Sequence, residues 1–351
     1  MNTLRKLISS PPTVPAGTVW YLTDLGEARG KQELFTKQAP QRLKTLRERA
    51  LVESAVSSNR IEGVTVARSR VATVVFGKSF LHDRNEEELR GYRNALKLIH
   101  EDRPPASEDI IKTLHALARG EVGDAGRYKK KDSDIIEKLA DGRVRVRFRT
   151  VTAKQTPSAM KELVSLWNQG IEERRVPPLL MLAAWNFDFL CIHPFRDGNG
   201  RVSRLMLLLQ LYHLGYEVGR YISIERLIEQ HKERYYETLE QSSSGWHEGR
   251  HDPWPYVNFI LSTLREAYRE FEERLGHTPS PPGAKTQMIE TAVKAAAGQF
   301  TVTQVERACP GVSRDMIRRV LRQMQKDKRV ECLGRGPGAA WRRKGNDLKR
   351  G

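Results

Sequence analysis

The chain has 351 residues, of which 39% are hydrophobic and 29% charged, and its formal net charge is +17. These proportions exclude the low hydrophobicity of an intrinsically disordered chain, and three scattered cysteines without metal-ligand spacing exclude a disulfide framework. No apolar run approaches the roughly eighteen residues of a membrane span, and the N-terminus lacks the apolar stretch of a signal peptide, so we expect a cytoplasmic protein without a membrane partner.

Apolar residues recur at helical spacing along most of the first 275 residues. We predict helices over 43–61, 86–100, 107–117, 158–167, 179–191 and 202–212. The segment 134–152 differs, because apolar residues alternate with arginines over Val144–Phe148 after the turn dipeptide Asp141-Gly142. This pattern indicates a β-hairpin, which must pack on the helical body as a flap or gain a further strand as a binding edge.

A proline-rich polar stretch, 276–284, has the composition of a linker. After it, three short helical patterns, over 285–297, 303–308 and 313–326, precede a glycine-rich hairpin over 330–342. Three helices followed by such a wing resemble a winged helix-turn-helix domain, which we place at 285–345. We therefore predict a mainly α-helical protein with an N-terminal helical region (1–105), a helical bundle with a hairpin flap (106–275), the linker and a small winged-helix domain.

A glycine-containing turn, Asp197-Gly198-Asn199-Gly200, leads into the predicted helix near Val202. Such a turn points backbone N–H groups at a bound anion, and the helix N-terminus adds positive partial charge, so it predicts a phosphate site. Arg201 and Arg204 lie three residues apart on one face of this helix start. Because both guanidinium groups would reach further phosphate oxygens, they indicate a polyphosphate ligand.

Two further side chains near this turn, a carboxylate and an imidazole, indicate what reaction it would support. Asp197 is a hard oxygen ligand beside the phosphates, where Mg²⁺ is usually held by one carboxylate, waters and nucleotide oxygens. His193, on the preceding loop, would deprotonate an attacking hydroxyl group near neutral pH. A lone histidine is most often structural and a lone Gly-x-Gly is usually a plain turn, but eight specified positions in unbroken order favour a functional site.

The segment His193–Arg201, HPFRDGNGR, followed by Arg204, matches the signature of the Fic family of protein adenylyltransferases. The resemblance covers roughly residues 43–275 and implies the Fic-type helical bundle with ATP as substrate. It implies that His193 is the general base, that Asp197 binds Mg²⁺ and that Phe195 anchors the loop. The nucleotide-binding residues that it implies are Gly198, Asn199, Gly200, Arg201, Val202, Ser203, Arg204, Tyr235 and Tyr236.

The hairpin is similar to the Fic flap, which aligns the target polypeptide by strand addition. The flap residues nearest the site would be Arg149, Thr150, Val151 and Thr152. Any one of these residues fits a plain surface hairpin equally well, and each of the two tyrosines, taken alone, fits a core residue with a satisfied hydroxyl group.

Upstream, Ser58 and Glu62, followed by Gly63, match an inhibitory pattern that many Fic proteins carry. They lie four residues apart on a predicted helix that ends at the glycine. We expect Glu62 to pair with Arg204 and so occupy the guanidinium group needed for the γ-phosphate of ATP. Without the downstream motif, an exposed helix end with a solvated glutamate would be the better interpretation.

The positive charge is concentrated at the C-terminus. Residues 283–351 contain sixteen basic and six acidic residues, which gives +10 of the total +17. Four arginines, Arg314, Arg318, Arg319 and Arg322, fall on the predicted recognition helix. A DNA-binding winged helix needs such phosphate contacts, but a protein-interaction module with a basic surface fits equally well.

The sequence thus predicts an autoinhibited enzyme that transfers AMP from Mg²⁺-ATP to a hydroxyl side chain of a protein, including itself. One alternative is a DNA-binding regulator with a nucleotide-sensing Fic-like domain. Removal of AMP, or transfer of another nucleotidyl group, by the same site is a second alternative. The target protein, the type of hydroxyl residue and the number of associating chains stay open, a homodimer being one option.

Overall fold

The computed structural model describes residues 2–10, 13–38, 40–77, 80–120, 123–138, 142–276, 284–296, 298–309, 312–334, 336 and 338–344. The chain divides into two compact units, the first formed by Met1–Arg29 and Lys44–Phe271 and the second by Gly30–Leu43 and Glu272–Gly351. The described residues are mainly helical with small antiparallel strand pairs, which confirms the predicted fold class. Among them, no helix is both long enough and apolar enough to cross a bilayer.

Helices account for most of the described chain. They are α1 (Asn2–Ser9), α2 (Ala16–Gln38), α3 (Pro40–Ile61), α4 (Arg68–Phe76), α5 (Arg84–Glu101), α6 (Glu108–Arg119), α7 (Thr156–Glu173), α8 (Pro178–Ile192), α9 (Asn199–His213), α10 (Ile224–Gln230), α11 (Lys232–Ser243), α12 (Trp254–Gly276), α13 (Ala284–Ala295), α14 (Val302–Ala308) and α15 (Arg314–Lys326). The strands are β1 (Ile135–Lys138), β2 (Val144–Phe148), β3 (Gln299–Thr301), β4 (Val330–Cys332) and β5 (Ala340–Arg343).

The six helices predicted in the first 275 residues are present as α3, α5, α6, α7, α8 and α9. Their ends follow local chemistry. The Asp83 carboxylate accepts a hydrogen bond from the Glu86 N–H at the start of α5, and Ser107 does the same for Ile110 in α6. α6 stops at Gly120, whose positive φ of +66° is readily adopted only by glycine.

The core of the first unit is built on α8 and α9. Every residue of α8 from Leu179 to Ile192 is buried, and α9 is buried from Asn199 to Tyr212 except at Gly200. Helices that are buried on all sides need neighbours around them, and α8 packs on α1, α7 and α9 while α9 packs on α5 and α6. The loop between α8 and α9 is therefore held at the centre of the unit.

The hairpin lies within this helical unit. β1 and β2 pair antiparallel with Ile136 opposite Val146, and Gly142 has a φ of +82° at the turn. Asp141, the other residue of the predicted turn, lies outside the described residues. β2 contacts α11, so the hairpin packs on the helical body along one edge.

The second unit contains α13, α14 and α15 and a three-stranded antiparallel sheet in the order β3-β5-β4. Its core includes Ile289, Phe300, Ile317, Leu321 and Trp341. The helices and the β4–β5 hairpin occur in the predicted order, whereas β3 is an element that the pattern did not indicate. Residues 277–283, most of the predicted linker, lie outside the described residues, and the winged-helix assignment stays a prediction.

Candidate active site

The loop between α8 and α9, residues 193–198, is fixed by contacts beneath it. Phe195 is fully buried and stacks on His115 of α6, with ring centroids 3.8 Å apart. The side chain of Asn199 accepts from the Phe195 N–H at 2.9 Å and donates to the Phe195 carbonyl at 2.8 Å. Asn199, expected at the phosphate site, thus uses its side chain to brace the loop and leaves only its backbone N–H for a ligand.

His115 is a second brace that the sequence reasoning missed. Its Nδ1 accepts from the Gly126 N–H at 2.9 Å, so the proton resides on Nε2, which donates to the Asp197 carbonyl at 3.0 Å. Burial lowers the pKa of His115 to about 4, which keeps the ring neutral and preserves this donor pattern. One neutral imidazole therefore supports both ends of the loop, through Phe195 and through Asp197.

His193 terminates α8 in the left-handed region, with a φ of +54°. Its Nδ1 lies 3.3 Å from the Leu190 carbonyl, an acceptor only, so Nδ1 carries the proton and Nε2 keeps a free lone pair. Burial lowers the pKa of His193 to about 4, and the positive charge of Lys129 adds to this shift. At neutral pH the ring is neutral and can accept a proton.

Lys129 ties the loop to the base of the flap. Its Nζ donates to Thr150 Oγ1 at 2.6 Å and to the Ile192 carbonyl at 3.3 Å, and its backbone N–H donates to the Pro194 carbonyl at 2.9 Å. Burial lowers the pKa of Lys129 to about 8. Nothing in the spacing of the sequence marked this lysine, because its partners are more than twenty residues away.

The start of α9 is the segment for which we predict an anion cradle. Gly198 precedes it with a φ of +84°, and a helix leaves its first N–H groups, here those of Asn199, Gly200 and Arg201, without partners inside the helix. The Val202 N–H donates to the Gly198 carbonyl at 3.0 Å and Ser203 Oγ donates to the Gly200 carbonyl at 2.8 Å. Those two donors, of Val202 and Ser203, are thus used within the helix.

The structure brings Ser58, Glu62 and Arg204 together. Glu62 Oε1 lies 2.8 Å from Arg204 Nη2, and Arg204 also donates to Ser58 Oγ at 2.9 Å and to the Ser58 carbonyl at 3.0 Å. Glu62 lies in the turn just after α3, which ends at Ile61, two residues before Gly63. A Cβ atom on Gly200 would stand 2.2 Å from Glu62 Oε1, so the carboxylate lies directly over the cradle.

Arg201 and Arg204, three residues apart in the motif, reach different partners. Arg201 is only 1% exposed, and its Nη1 donates to Glu88 Oε2 of α5 at 2.7 Å. Glu88 also binds Arg119 of α6 at 2.8 Å. The Arg201 guanidinium group therefore lies beneath the loop. Glu88 and Arg119, which hold it there, come from distant helices that motif spacing does not reveal.

Asp197 is the candidate ligand for Mg²⁺. Its side chain is 54% exposed, with Oδ1 accepting from the Gly198 N–H at 2.6 Å and Oδ2 lying 2.7 Å from Arg119 Nη1. Within the described ranges there is no group of three or more His, Cys, Asp or Glu side chains that could hold a metal ion. One exposed carboxylate fits a Mg²⁺ ion that takes its other ligands from phosphate and water.

A cavity of about 260 Å³ lies beside this loop and is lined by His193, Gly200, Glu62, Tyr235 and Tyr236. The two tyrosine rings lie 5.2 Å apart, and residues of β2 form another part of the wall. The cavity therefore joins the free imidazole nitrogen, the cradle and an aromatic surface. Pockets of this kind, apolar with few polar groups, are typical binding sites for small ligands.

The expected flap residues, 149–152, lie after β2 and not within it. The Arg149 carbonyl accepts from His247 Nε2 at 2.7 Å, and Thr150 Oγ1 donates to the Ser133 carbonyl at 2.7 Å. Thr152 Oγ1 donates to Gln155 Oε1 at 2.9 Å, just before α7. Their polar groups mainly hold the hairpin in place, whereas Val146 in β2 presents an exposed apolar side chain.

Comparison with known proteins identifies a domain in this region. Residues 105–211, which include α6, the hairpin, α8 and most of α9, match the model of the Fic/DOC family. Two curated relatives are named protein adenylyltransferase Fic. The one from Nematostella vectensis is 26% identical over 218 residues, 58% of this chain and 44% of the relative. The one from Culex quinquefasciatus is 24% identical over 261 residues, 70% of this chain and 47% of the relative. The chain thus spans less than half of their length.

Solved structures give the same result for the fold. A Fic family protein from Desulfovibrio desulfuricans G20 has a TM-score of 0.62 and 25% identity, and the match covers 95% of this chain and 98% of that protein. A Fic domain containing signalling protein from Bacteroides thetaiotaomicron has a TM-score of 0.60 and 22% identity, covering 72% of this chain and 96% of that protein. The helical arrangement around the loop is therefore shared with these proteins.

Proposed function

This chain carries a Fic/DOC family domain, and on that premise we propose that it transfers AMP from ATP to a hydroxyl side chain of a protein, itself included. The curated relatives support the general class, a nucleotidyltransferase that uses ATP. The observation that carries the proposal is the cavity in which the free Nε2 of His193, the N-terminus of α9 and the Tyr235–Tyr236 pair meet. Base, anion cradle and aromatic surface suit a nucleotide whose phosphates face an incoming hydroxyl group.

In the proposed reaction, His193 Nε2 takes the proton of the target hydroxyl group as its oxygen attacks the α-phosphorus of ATP. A new O–P bond forms, the bond between the α-phosphorus and its bridging oxygen breaks, and pyrophosphate leaves. The first N–H groups of α9 would stabilise the negative charge on the phosphates. Mg²⁺ held by Asp197 would neutralise part of the phosphate charge when the nucleotide is bound.

Nucleotide binding would also raise the pKa of His193, the proposed base. In the structure, burial and the charge of Lys129 hold the pKa of His193 at about 4, so the imidazole binds a proton only weakly. A polyphosphate in the cradle brings negative charge close to the ring, which favours the imidazolium form. The pKa of His193 would then rise towards neutrality, where a general base is most effective.

Glu62 would keep the enzyme in a restrained state. Its carboxylate occupies the space over Gly200 and pairs with Arg204, so the guanidinium group cannot at the same time bind a γ-phosphate. The two hydrogen bonds from Arg204 to Ser58 would keep the guanidinium group in position for its pair with Glu62. A cytoplasmic location, predicted from the sequence, suits an enzyme that consumes ATP.

Two labels on ATP distinguish the chemistry. The protein and its Glu62→Gly variant are incubated separately with ATP labelled at the α-phosphate and with ATP labelled at the γ-phosphate. AMP transfer predicts covalent label from the α-position only, whereas phosphate transfer predicts it from the γ-position. A protein that only senses nucleotide would bind both and retain neither after denaturation. Label that appears and then declines would indicate that the same site also removes AMP.

A further inference from the structure

The second unit presents a helix with two contrasting faces. In α15, Ile317, Leu321 and Met324 are buried in the core of the unit. Arg319, Arg322 and Lys326 are exposed, and their spacing of three and then four residues places them along one face of the helix. The solvent side of α15 thus carries a row of positive charges that extends over about 10 Å.

Most acidic residues around this row are paired with other cations. Glu290 binds Arg329 at 2.7 Å, Glu306 lies 3.8 Å from Arg314 and Asp315 lies 3.5 Å from Arg318. Glu331 binds Arg342 and Lys344, and Asp327 accepts from Gln323. Within the part of the chain that the structure describes, Arg319, Arg322 and Lys326 therefore have no carboxylate partner, and their charges are available to an external anion.

The same surface offers little to a protein partner. Among the described residues of this unit, Leu333, at 41%, is the one large apolar side chain that counts as exposed. Protein interfaces depend on buried aromatic or apolar anchors at their centre. Interfaces with nucleic acid are more polar and strongly positive, and their affinity comes mainly from phosphate contacts. A positively charged surface without an apolar anchor favours a polyanionic partner over a protein partner.

We propose that the face of α15 formed by Arg319, Arg322 and Lys326 binds the phosphate backbone of duplex DNA. The major groove of B-DNA is about 12 Å wide and admits an α-helix, whereas the corresponding groove of an RNA duplex is too narrow. α15 has thirteen residues, which gives a length of about 20 Å, enough to follow such a groove. Exposed basic residues on β5 and beyond it, Arg342, Arg343 and Lys344, add positive charge to the same unit.

The test measures binding of the full-length protein to a fluorescent duplex of mixed sequence by anisotropy, at 50 and 200 mM salt. If the three side chains each neutralise one phosphate, their contribution alone makes the affinity fall about 40-fold between the two salt concentrations. The triple variant Arg319→Gln, Arg322→Gln, Lys326→Gln should bind more weakly at 50 mM salt and show a smaller salt dependence. Glutamine keeps the helix propensity, and circular dichroism checks that the unit is folded.

The matched control removes three exposed charges from the first unit through Lys97→Gln, Lys154→Gln and Lys161→Gln. It lowers the net charge equally, so it should retain the affinity and the salt dependence of the unchanged protein. Equal binding by the two triple variants would overturn the proposal. Absence of binding at 50 mM salt by the unchanged protein would also overturn it and would leave the face to a protein partner. Neither result bears on AMP transfer, which is measured separately.

Discussion

Replacing Glu62 should release the proposed restraint on Arg204. The pair joins Glu62 Oε1 to Arg204 Nη2 at 2.8 Å, with side-chain exposures of 25% and 3%, respectively. A hydrogen bond between charged groups contributes about 1.5–3 kcal/mol, and solvent at the partly exposed carboxylate places this pair near the lower limit. If the pair must break before ATP binds productively, its loss raises label transfer about 10-fold at limiting ATP.

Two substitutions of Glu62 separate the effect of its charge from the effect of the space that its side chain fills. Glu62→Gln removes the charge but keeps a group that fills the space over Gly200, whereas Glu62→Gly removes both. We expect the glycine variant to incorporate label fastest, the glutamine variant to be intermediate and the unchanged protein to be slowest. The assay is the initial rate of incorporation from α-labelled ATP below saturation.

Glu229 provides the matched control for this series. Its side chain is 26% exposed, close to the 25% of Glu62, and it pairs with a surface arginine, Arg60, at 3.9 Å. Glu229→Gln should leave the rate unchanged. If Glu62→Gly, folded as judged by its melting temperature, labelled no faster than Glu229→Gln, Glu62 would not restrain Arg204.

Three further predictions rest on contacts around the loop and in the core. Lys129→Met removes a positive charge that helps to lower the pKa of His193, so the acidic limb of the pH–rate profile should move to higher pH. Lys129→Arg keeps the charge and should leave the limb in place. A shift of the limb to lower pH would contradict the assignment of His193 as the base. Asn199→Ala breaks both hydrogen bonds to the Phe195 backbone and should lower the free energy of unfolding by about 1–3 kcal/mol, measured by urea denaturation. An unchanged free energy of unfolding would show that Asn199 does not brace the loop. Burial lowers the pKa of His100 to about 3, so the neutral form of His100 stabilises the fold fully above a pH of about 6.5 and progressively less below it. Between pH 7.5 and 5 the free energy of unfolding should fall by about 2 kcal/mol from this cause, and His100→Gln should reduce the fall. An equally steep pH dependence in the variant would show that His100 does not cause it.

The local chemistry of the loop could be predicted from the sequence because its parts are neighbours in the chain. The glycine turn, the helix start after it and the burial of Phe195 all follow from residues within a few positions of one another. The contact between Glu62 and Arg204 joins residues 142 positions apart, and it was expected only through the family resemblance. Periodicity alone indicates which face of a helix is apolar, but not which helix packs against it.

The same limit explains what the sequence reasoning missed. Arg201 was expected beside Arg204 at the phosphates, since three residues place both on one face of α9. That role stays a prediction, and the structure adds a buried partner of Arg201, Glu88 on α5, which the sequence did not indicate. A buried guanidinium group must be neutralised, and only the packing of α5 and α6 on α9 determines which carboxylate does so. β3 was missed because its three residues carry too short a pattern to be recognised without turn glycines such as those that mark the β4–β5 hairpin.

In the proposed reaction, His193 acts as the base when AMP is transferred from ATP to a protein. Intact-mass spectrometry after incubation with ATP and Mg²⁺ tests it most directly, with Glu62→Gly compared with the double variant Glu62→Gly, His193→Ala. The single variant should gain the mass of one or more AMP groups, and the double variant should gain none. Equal gain in both proteins, or no gain in the single variant, would contradict it.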